Sequence, residues 1–261
     1  MEQQLSPEQI NDFIKEGFIC IDNAFPASLA TDVRDILWKE TGMDPDDPTS
    51  WKQPVVRLGY YTLEPFVEAA NTPLLLKAFD QLLGAGNWIP CRNMGSMVLR
   101  FPSREMPNDT GWHVDASFAG EGDPNNILSW RINMFSKGRG LLMLFLFSDV
   151  GEQDAPTRIR VGSHKDVAGV LQPYGEAGLS FMELAAKIPQ LPQRKEALAT
   201  GMTGTVYLCH PFLVHAAQPH HGTVPRFMAQ PPLLLRKGLV LEAEDNGYEY
   251  SPVEMAIREG L

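Results

Sequence analysis

The N-terminal part of the chain has apolar side chains at the spacing of amphipathic helices. Ser6-Pro7-Glu8 is typical of a helix start, and Ile10, Phe13 and Ile14 then form one apolar stripe. Gly17 predicts the end of this helix. The pattern after it predicts a short buried strand at 18–21, helices at 27–41, 64–70 and 72–83, and a surface loop at 43–54.

From Trp88 onward the periodicity changes to short apolar or alternating runs that Gly, Pro, Asn and Asp separate. Such runs predict the strands of a β-sandwich or jelly roll. Helical patterns interrupt them at 164–171 and 180–188. The predicted strands lie at 93–101, 111–118, 128–136, 140–149, 157–161, 204–209, 212–217 and 226–236.

Together these patterns predict a mainly β fold, a double-stranded β-helix (jelly roll, cupin-like) with an N-terminal helical layer packed on one sheet. We expect a single domain over residues 1–261, since the sequence shows no internal repeat or linker. Its expected parts are the helical layer at 1–87, the β core at 88–240 and a polar surface tail at 241–261.

Composition and charge exclude several classes of protein. The net charge is −10 and the pI about 5.1, which argues against a nucleic-acid partner. The longest apolar run, 141–147, is too short to cross a bilayer. Cys20, Cys91 and Cys209 show no disulfide or metal spacing and predict buried free thiols. The start Met1-Glu2-Gln3-Gln4 does not resemble a signal peptide, so we expect a cytoplasmic protein.

One set of residues has the composition of a metal site. In Gly111-Trp112-His113-Val114-Asp115, His113 and Asp115 are two positions apart and share one face of an extended chain. His215 follows within an apolar run. Two imidazoles and one carboxylate on a metal leave positions open, which is the ligand set of non-haem Fe(II) oxygenases. Arg226, eleven residues after His215, adds a cationic fork for the far carboxylate of a dicarboxylate cosubstrate.

The other downstream histidines fit this site less well. His210 is five residues before His215 and would face the opposite side of a continuous strand. His220 and His221 lie in a segment with the composition of a hairpin loop. His164 follows Gly162-Ser163 at a predicted helix start and is expected to be structural or to support a ligand.

Two further segments allow more than one interpretation. Arg158 and Arg160 alternate with apolar residues and share a face, which is either solvent-exposed or able to bind a substrate carboxylate. The insert at 120–140 follows the first histidine motif directly. It could cover the site as a lid or form a plain β-hairpin.

Beyond these residues, the chain resembles the phytanoyl-CoA dioxygenase family of Fe(II)/2-oxoglutarate-dependent oxygenases. The start Leu5-Ser6-Pro7-Glu8-Gln9-Ile10, running on to Gly17-Phe18-Ile19, is similar to the family's first helix and strand. The segment from Asp154-Ala155-Pro156-Thr157 to Val161-Gly162-Ser163-His164 resembles its Asn-Gly-Pro-Thr…Pro-Gly-Ser-His signature, with Asp154, Ala155 and Val161 replacing the usual residues.

The resemblance implies cofactors, a reaction and further site residues. It implies Fe(II) at His113, Asp115 and His215, and 2-oxoglutarate held by Arg226 with Met97 and Leu144 against it. Ala217 stands where some members have a serine that contacts the cosubstrate. The implied reaction converts 2-oxoglutarate and O₂ to succinate and CO₂ while a small-molecule substrate is oxidised. Related halogenases lack the carboxylate ligand, so Asp115 favours hydroxylation or another oxygenase-type outcome.

Two function classes follow from these observations. The first is an Fe(II)/2-oxoglutarate-dependent dioxygenase that hydroxylates an unidentified small molecule. The second is a non-oxidative, cupin-like isomerase, hydrolase or binding protein that uses Zn or Mn. Arg226 favours the first, because a cupin has no need of a buried cation so close to its last metal ligand.

Overall fold

A computed structural model describes residues 4–121, 123, 125–244 and 247–261. The residues outside these ranges include the first three, on which the expectation of no signal peptide partly depends, and members of the 120–140 insert and of the tail. The helices are α1 Pro7–Glu16, α2 Ala27–Thr41, α3 Glu64–Ala70, α4 Pro73–Leu83, α5 Ser163–Leu171, α6 Phe181–Lys187 and α7 Pro252–Arg258. Short 3-10 turns lie at Pro48–Ser50, Ile127–Ser129, Gln172–Tyr174 and Ile188–Gln190.

The N-terminal helices begin and end where the sequence predicts. The Ser6 hydroxyl accepts a hydrogen bond from the Gln9 backbone amide, and the Gln9 side-chain oxygen accepts one from the Ser6 backbone amide, which caps α1. Gly17 ends α1 at φ +88°, a conformation that favours glycine. A Cβ at Gly17 would also collide with the His164 ring. The predictions for α2, α3 and α4 are confirmed to within one residue.

The described strands form antiparallel sheets. They are β1 Phe18–Ile21, β2 Val55–Gly59, β3 Trp88–Ile89, β4 Ser96–Arg100, β5 Arg131–Ile132, β6 Leu141–Leu146, β7 Thr157–Arg160, β8 Leu179–Ser180, β9 Glu196–Ala199, β10 Val206–Cys209, β11 His215–Ala216, β12 Arg226–Ala229 and β13 Pro232–Leu235. The large sheet runs β1-β10-β6-β12-β4-β2, with β13 pairing β6 and β3. A smaller sheet runs β11-β7-β9, and β5 pairs β8.

Strand β6 separates two apolar cores. Met143 and Phe145 face the helical layer, whereas Leu142, Leu144 and Leu146 face the small sheet, because successive side chains leave opposite sides of a strand. Burial on both faces explains why this segment reads as a continuous apolar run. Helices on one sheet and a second sheet across the other core form the predicted jelly roll, so the fold prediction is confirmed.

Several strands differ from the sequence predictions. The predicted strand 111–118 is wrong: only isolated bridges form there, from His113 to His215 and from Phe118 to Arg131. Strand β2 was not predicted, and it lies inside the segment expected to be a helical layer. It is a half-exposed strand at the edge of the large sheet, where little apolar periodicity is needed. The short strands β3, β8 and β9 were not predicted either.

The C-terminal tail is not wholly a surface segment. Ser251 and Glu254 form a capping box that starts α7, and Val253, Ala256 and Ile257 of this helix are fully buried. Helix α7 packs against α1, α4 and α5. The average polarity of residues 241–261 hid this helix, although its Ser-Pro-x-Glu start repeats the kind of signal that predicts α1.

All three cysteines are free; Cys91 and Cys209 are buried as expected, but Cys20 is exposed. None of the helices in the described ranges is long and apolar enough to cross a membrane.

Candidate metal centre

His113, Asp115 and His215 meet at one point of the structure. His113 and His215 exchange two backbone hydrogen bonds of 3.0 Å, so the two imidazoles leave neighbouring chains side by side. Oδ1 of Asp115 lies 3.7 Å from Nε2 of His113 and 3.8 Å from Nε2 of His215. One donor atom from each residue falls within 4.8 Å of the others, a spacing that one metal ion can bridge.

Both imidazoles are oriented by their own backbone. Nδ1 of His113 lies 2.8 Å from the Gly111 carbonyl oxygen, and Nδ1 of His215 lies 3.0 Å from that of Leu213. A proton on each Nδ1 leaves the lone pair of each Nε2 atom available to bind a metal ion. Nε2 of His215 is buried and has no hydrogen-bond partner among the described residues. This orphaned atom fits a metal ligand, and the donor set fits Fe(II).

The charge states of the ligands also suit a cation. Burial opposes ionisation of Asp115, but Arg139 and the two imidazoles outweigh it and lower its pKa to about 2. Burial, with repulsion from His113, lowers the pKa of His215 to about 4. At neutral pH Asp115 is therefore a carboxylate and His215 a neutral ring, the forms that coordinate metals.

Arg226 is a buried cation near this centre. Its side chain is 1% exposed, one Nη donates to the Ala155 carbonyl, and its Nε is unpartnered in the described part of the chain. Arg100 lies opposite Arg226 across the β12–β4 pair. The guanidinium of Arg100 forms an ion pair with Asp109 at 2.7 Å. Burial and repulsion from Arg100 hold the pKa of Arg226 well below its ordinary value. Such a group is strongly stabilised by an incoming carboxylate.

The centre and Arg226 line the same cavity, which has a volume of about 1120 Å³. On β4 the side chains of Ser96, Val98 and Arg100 line it, and on β12 those of Arg226 and Met228 do. Ala217 also lines the cavity, as does the hydroxyl-bearing Thr157. A dicarboxylate that reaches from the three ligands to Arg226 would therefore lie along one wall of the jelly roll.

Two residues that the family resemblance places against the cosubstrate do not line the cavity. Met97 is fully buried in the core beneath the helical layer, because it alternates with Ser96 and Val98 on β4. Met97 therefore does not line the cavity, whereas the adjacent Val98 does. Leu144 lies with Met228 in the core that faces the small sheet, but it does not itself line the cavity.

The remaining histidines lie outside the centre. His210 follows the end of β10, and its tilted ring lies 4.8 Å from the ring of His164, beneath the helical layer; no continuous strand joins it to His215. Nε2 of His164 contacts the Ile14 carbonyl at 3.0 Å, which is a structural role. His220 bonds to the Val224 carbonyl within its own loop.

Sequence reasoning missed the specific role of Arg139, which it treated only as part of the 120–140 insert. Arg139 donates a 2.8 Å hydrogen bond to Oδ2 of Asp115 and a 3.1 Å bond to the Ala116 carbonyl. Arg139 is 24 positions from Asp115 in the sequence, and no sequence pattern indicated that the two side chains would meet. Arg158 and Arg160 stack on Trp112, with guanidinium carbons 4.3 and 4.4 Å from the ring.

The known structures that this chain resembles share its fold at low sequence identity. The crystal structure of the non-heme alpha-ketoglutarate-dependent carbocyclase SnoK from nogalamycin biosynthesis matches 93% of this chain and 89% of its own, with 15% identity and a TM-score of 0.58. HygX from Streptomyces hygroscopicus, with nickel and 2-oxoglutarate bound, matches 87% and 86%, with 16% identity and a TM-score of 0.55. EctD from S. alaskensis matches 88% and 76%, with 19% identity and a TM-score of 0.54.

A comparison with curated proteins found no match. The family model described as phytanoyl-CoA dioxygenase (PhyH) matches residues 13–228, which contain the three candidate ligands and Arg226. The chain therefore belongs to the phytanoyl-CoA dioxygenase family, whose members use Fe(II) and 2-oxoglutarate.

Proposed function

We propose that the protein is an Fe(II)/2-oxoglutarate-dependent dioxygenase that hydroxylates a small molecule. His113, Asp115 and His215 would hold the iron, and Arg226 would bind the distal carboxylate of 2-oxoglutarate. The observation that carries the proposal is the meeting, in one cavity, of three metal-ligating side chains and a buried arginine with no carboxylate partner in the described chain. A zinc or manganese protein of the same fold would gain nothing from that arginine.

When bound, Fe(II) and 2-oxoglutarate would supply the oxidising chemistry: 2-oxoglutarate, O₂ and a substrate C–H bond give succinate, CO₂ and a C–OH bond. The chain's own residues bind and orient. Asp115 would keep one oxygen on the metal while Arg139 holds the other, and the Nδ1 hydrogen bonds of both histidines fix the rings. The apolar walls at Val98 and Met228 would limit water around the cosubstrate.

Thr157 is a candidate for the cosubstrate contact that Ala217 lacks. Its side chain lines the cavity and is 3% exposed. Among the described residues, its hydroxyl has as partner only the weak acceptor sulfur of Met228, at 3.7 Å. We infer that this hydroxyl donates to a carboxylate of 2-oxoglutarate. Thr157→Val should raise the KM for 2-oxoglutarate several-fold, which corresponds to the loss of roughly 1 kcal/mol.

The test is a screen of pooled metabolites for stimulated release of succinate, followed by mass analysis of the consumed compound. Hydroxylation predicts a product one oxygen atom heavier, labelled when ¹⁸O₂ is supplied, and no product with Asp115→Ala. SnoK is a carbocyclase, and another structure that this chain resembles is the non-heme alpha-ketoglutarate-dependent epimerase SnoN from nogalamycin biosynthesis, so the screen should also score products of unchanged or reduced mass. Product formation without 2-oxoglutarate would contradict the proposal and favour the non-oxidative alternative.

A further inference from the structure

The mouth of the cavity is unusually apolar for an exposed surface. Isolated exposed apolar side chains are ordinary, but a cluster of them marks a binding site. Several of the most exposed large apolar side chains in the described chain line this one mouth, namely Tyr60, Ile127, Leu128, Met182 and Leu234, which are 46–73% exposed.

A defined element carries much of this surface. We call Ile127, Leu128, Trp130, Phe181 and Met182 the lip. The 3-10 turn Ile127–Ser129 packs against α6, and the Phe181 amide donates a 2.8 Å hydrogen bond to the Trp130 carbonyl. All five side chains line the cavity.

The lip is held in place and reaches the metal centre. Strands β5 and β8 pair directly beside it, and Arg131 donates to the carbonyls of Ala177 and Gly178 at 2.6 and 2.7 Å. The Phe181 ring is 5.6 Å from the ring of His113. An apolar molecule lying on the lip would therefore extend to the candidate iron site without crossing a polar gap.

The charges of the cavity select against cations. Its lining contains four guanidinium groups and two aspartates, which leaves an excess of two positive charges although the chain as a whole carries −10. The two negative charges of 2-oxoglutarate would be balanced by the two positive charges of Fe(II). The excess positive charge of the lining would therefore persist in the loaded protein. The charged lining residues are Arg57, Arg100, Arg139, Arg226, Asp109 and Asp115.

We propose that the substrate is a predominantly apolar small molecule without a positive charge, whose apolar body lies on the lip while one carbon reaches the metal centre. This inference rests on the proposed function, since it names the substrate class of the same site. It makes the lip a specificity element of the reaction. The competing occupant is a second copy of the chain covering the same apolar surface.

The test uses protein loaded anaerobically with Fe(II) and 2-oxoglutarate and three fluorescent probes. N-phenyl-1-naphthylamine is apolar and neutral, its 8-sulfonate analogue is apolar and anionic, and thioflavin T is cationic. We expect saturable binding of the neutral probe and at least tenfold weaker binding of thioflavin T. The double variant Ile127→Ser/Met182→Ser should weaken neutral-probe binding at least tenfold.

The matched control is Met202→Ser/Val224→Ser, which removes two exposed apolar side chains that do not line the cavity. It should bind the neutral probe as the wild type does. Equal binding by the lip variant, or binding of thioflavin T as tight as that of the neutral probe, would overturn the inference. So would a wild-type dimer in sedimentation that the lip variant abolishes, with no probe bound to either form.

The same samples separate this inference from the proposed function. The visible charge-transfer band of Fe(II) with 2-oxoglutarate is recorded before each probe titration. Absence of the band in wild type would contradict the proposed function, whereas a normal band without binding of the neutral probe would overturn only the substrate class.

Discussion

Arg139 holds the carboxylate of Asp115 by one oxygen and leaves the other facing the two histidines. The Nη1–Oδ2 distance is 2.8 Å, while Oδ1 lies 3.7 and 3.8 Å from the two imidazole Nε2 atoms. The Arg139 guanidinium is also tied to the Ala116 carbonyl, so its position is fixed by the chain that carries the ligand. Arg139 would therefore position Asp115 to bind a metal ion through its other oxygen.

Arg139→Gln should weaken Fe(II) binding about 10–100-fold, the usual cost of losing a residue that orients a metal ligand. The reason is that Asp115 would rotate freely and its charge would lose its partner. Anaerobic titration with Fe(II) measures the affinity. Arg194→Gln, which removes a guanidinium paired with the distant Asp166, is the matched control and should bind iron normally. Unchanged affinity in Arg139→Gln would show that Asp115 does not depend on this contact.

Arg226→Ala should raise the KM for 2-oxoglutarate at least about thirtyfold, because breaking a desolvated, hydrogen-bonded charge pair costs roughly 2–5 kcal/mol. Fe(II) affinity should change little, and Arg226→Lys should recover only part of the loss, since lysine lacks the planar fork. 2-Oxoglutarate should raise the Tm of wild type but not of Arg226→Ala. If the alanine variant binds 2-oxoglutarate normally, the anchor is another residue, and the neighbouring Arg100 is the first to examine.

Strand parity and chain order were sufficient to predict the centre itself. His113 and Asp115 share a face although their segment is not a regular strand, because an extended chain alternates its side chains with or without sheet partners. The same rule explains why Met97, taken over from the family resemblance, lies in the core while its neighbour Val98 lines the cavity. Arg139 could not be predicted, since only the fold of the 120–140 segment brings it to Asp115.

The fold was predictable where one face of an element is buried, and where the residues that cap a helix are close to it in the sequence. Helix α1 and strand β6 fulfil these conditions, and both were predicted. Strands β2 and β9 lie at sheet edges and need few apolar residues, so their patterns were too weak to recognise. Helix α7 was missed because the average polarity of the tail outweighed its capping signal.

The stability of the fold should decrease on acidification through His164. Burial lowers its pKa to about 4, from an ordinary value of 6.5, so the unfolded chain binds a proton that the folded one excludes. From about pH 7.5 to about pH 5 this should cost about 2 kcal/mol of unfolding free energy. The buried His210, whose pKa is lowered in the same direction, adds to the loss.

Urea denaturation of wild type and His164→Gln at both pH values measures this effect. The variant should lose less stability between the two pH values than wild type, because it has no imidazole to protonate there. His221→Gln, a change in an exposed loop histidine, is the control and should follow wild type. Identical pH dependence in His164→Gln and wild type would rule out His164 as the source.

Gly178→Ala should destabilise the protein more than Gly42→Ala. Both glycines have positive φ, but a Cβ at Gly178 would lie 2.0 Å from the Ile132 carbonyl oxygen, whereas one at Gly42 meets nothing within 4 Å. Each substitution should cost about 1–2 kcal/mol because of the positive φ, and Gly178→Ala should cost roughly 1–3 kcal/mol more because of the clash. Thermal unfolding of the two variants gives the comparison. Equal losses of stability in the two variants would mean that β5 and β8 can move apart to accept the Cβ at Gly178 without destabilising the protein.

The most direct test of the site is an anaerobic titration of the purified protein with Fe(II) and 2-oxoglutarate, followed by visible absorption. Wild type should develop a metal-to-ligand charge-transfer band that needs both additions. Asp109→Asn, which alters the other aspartate lining the cavity, should keep the band, and Asp115→Ala should lose it. A wild-type protein without the band, or a full band in Asp115→Ala, would contradict the assignment of His113, Asp115 and His215 as the iron ligands.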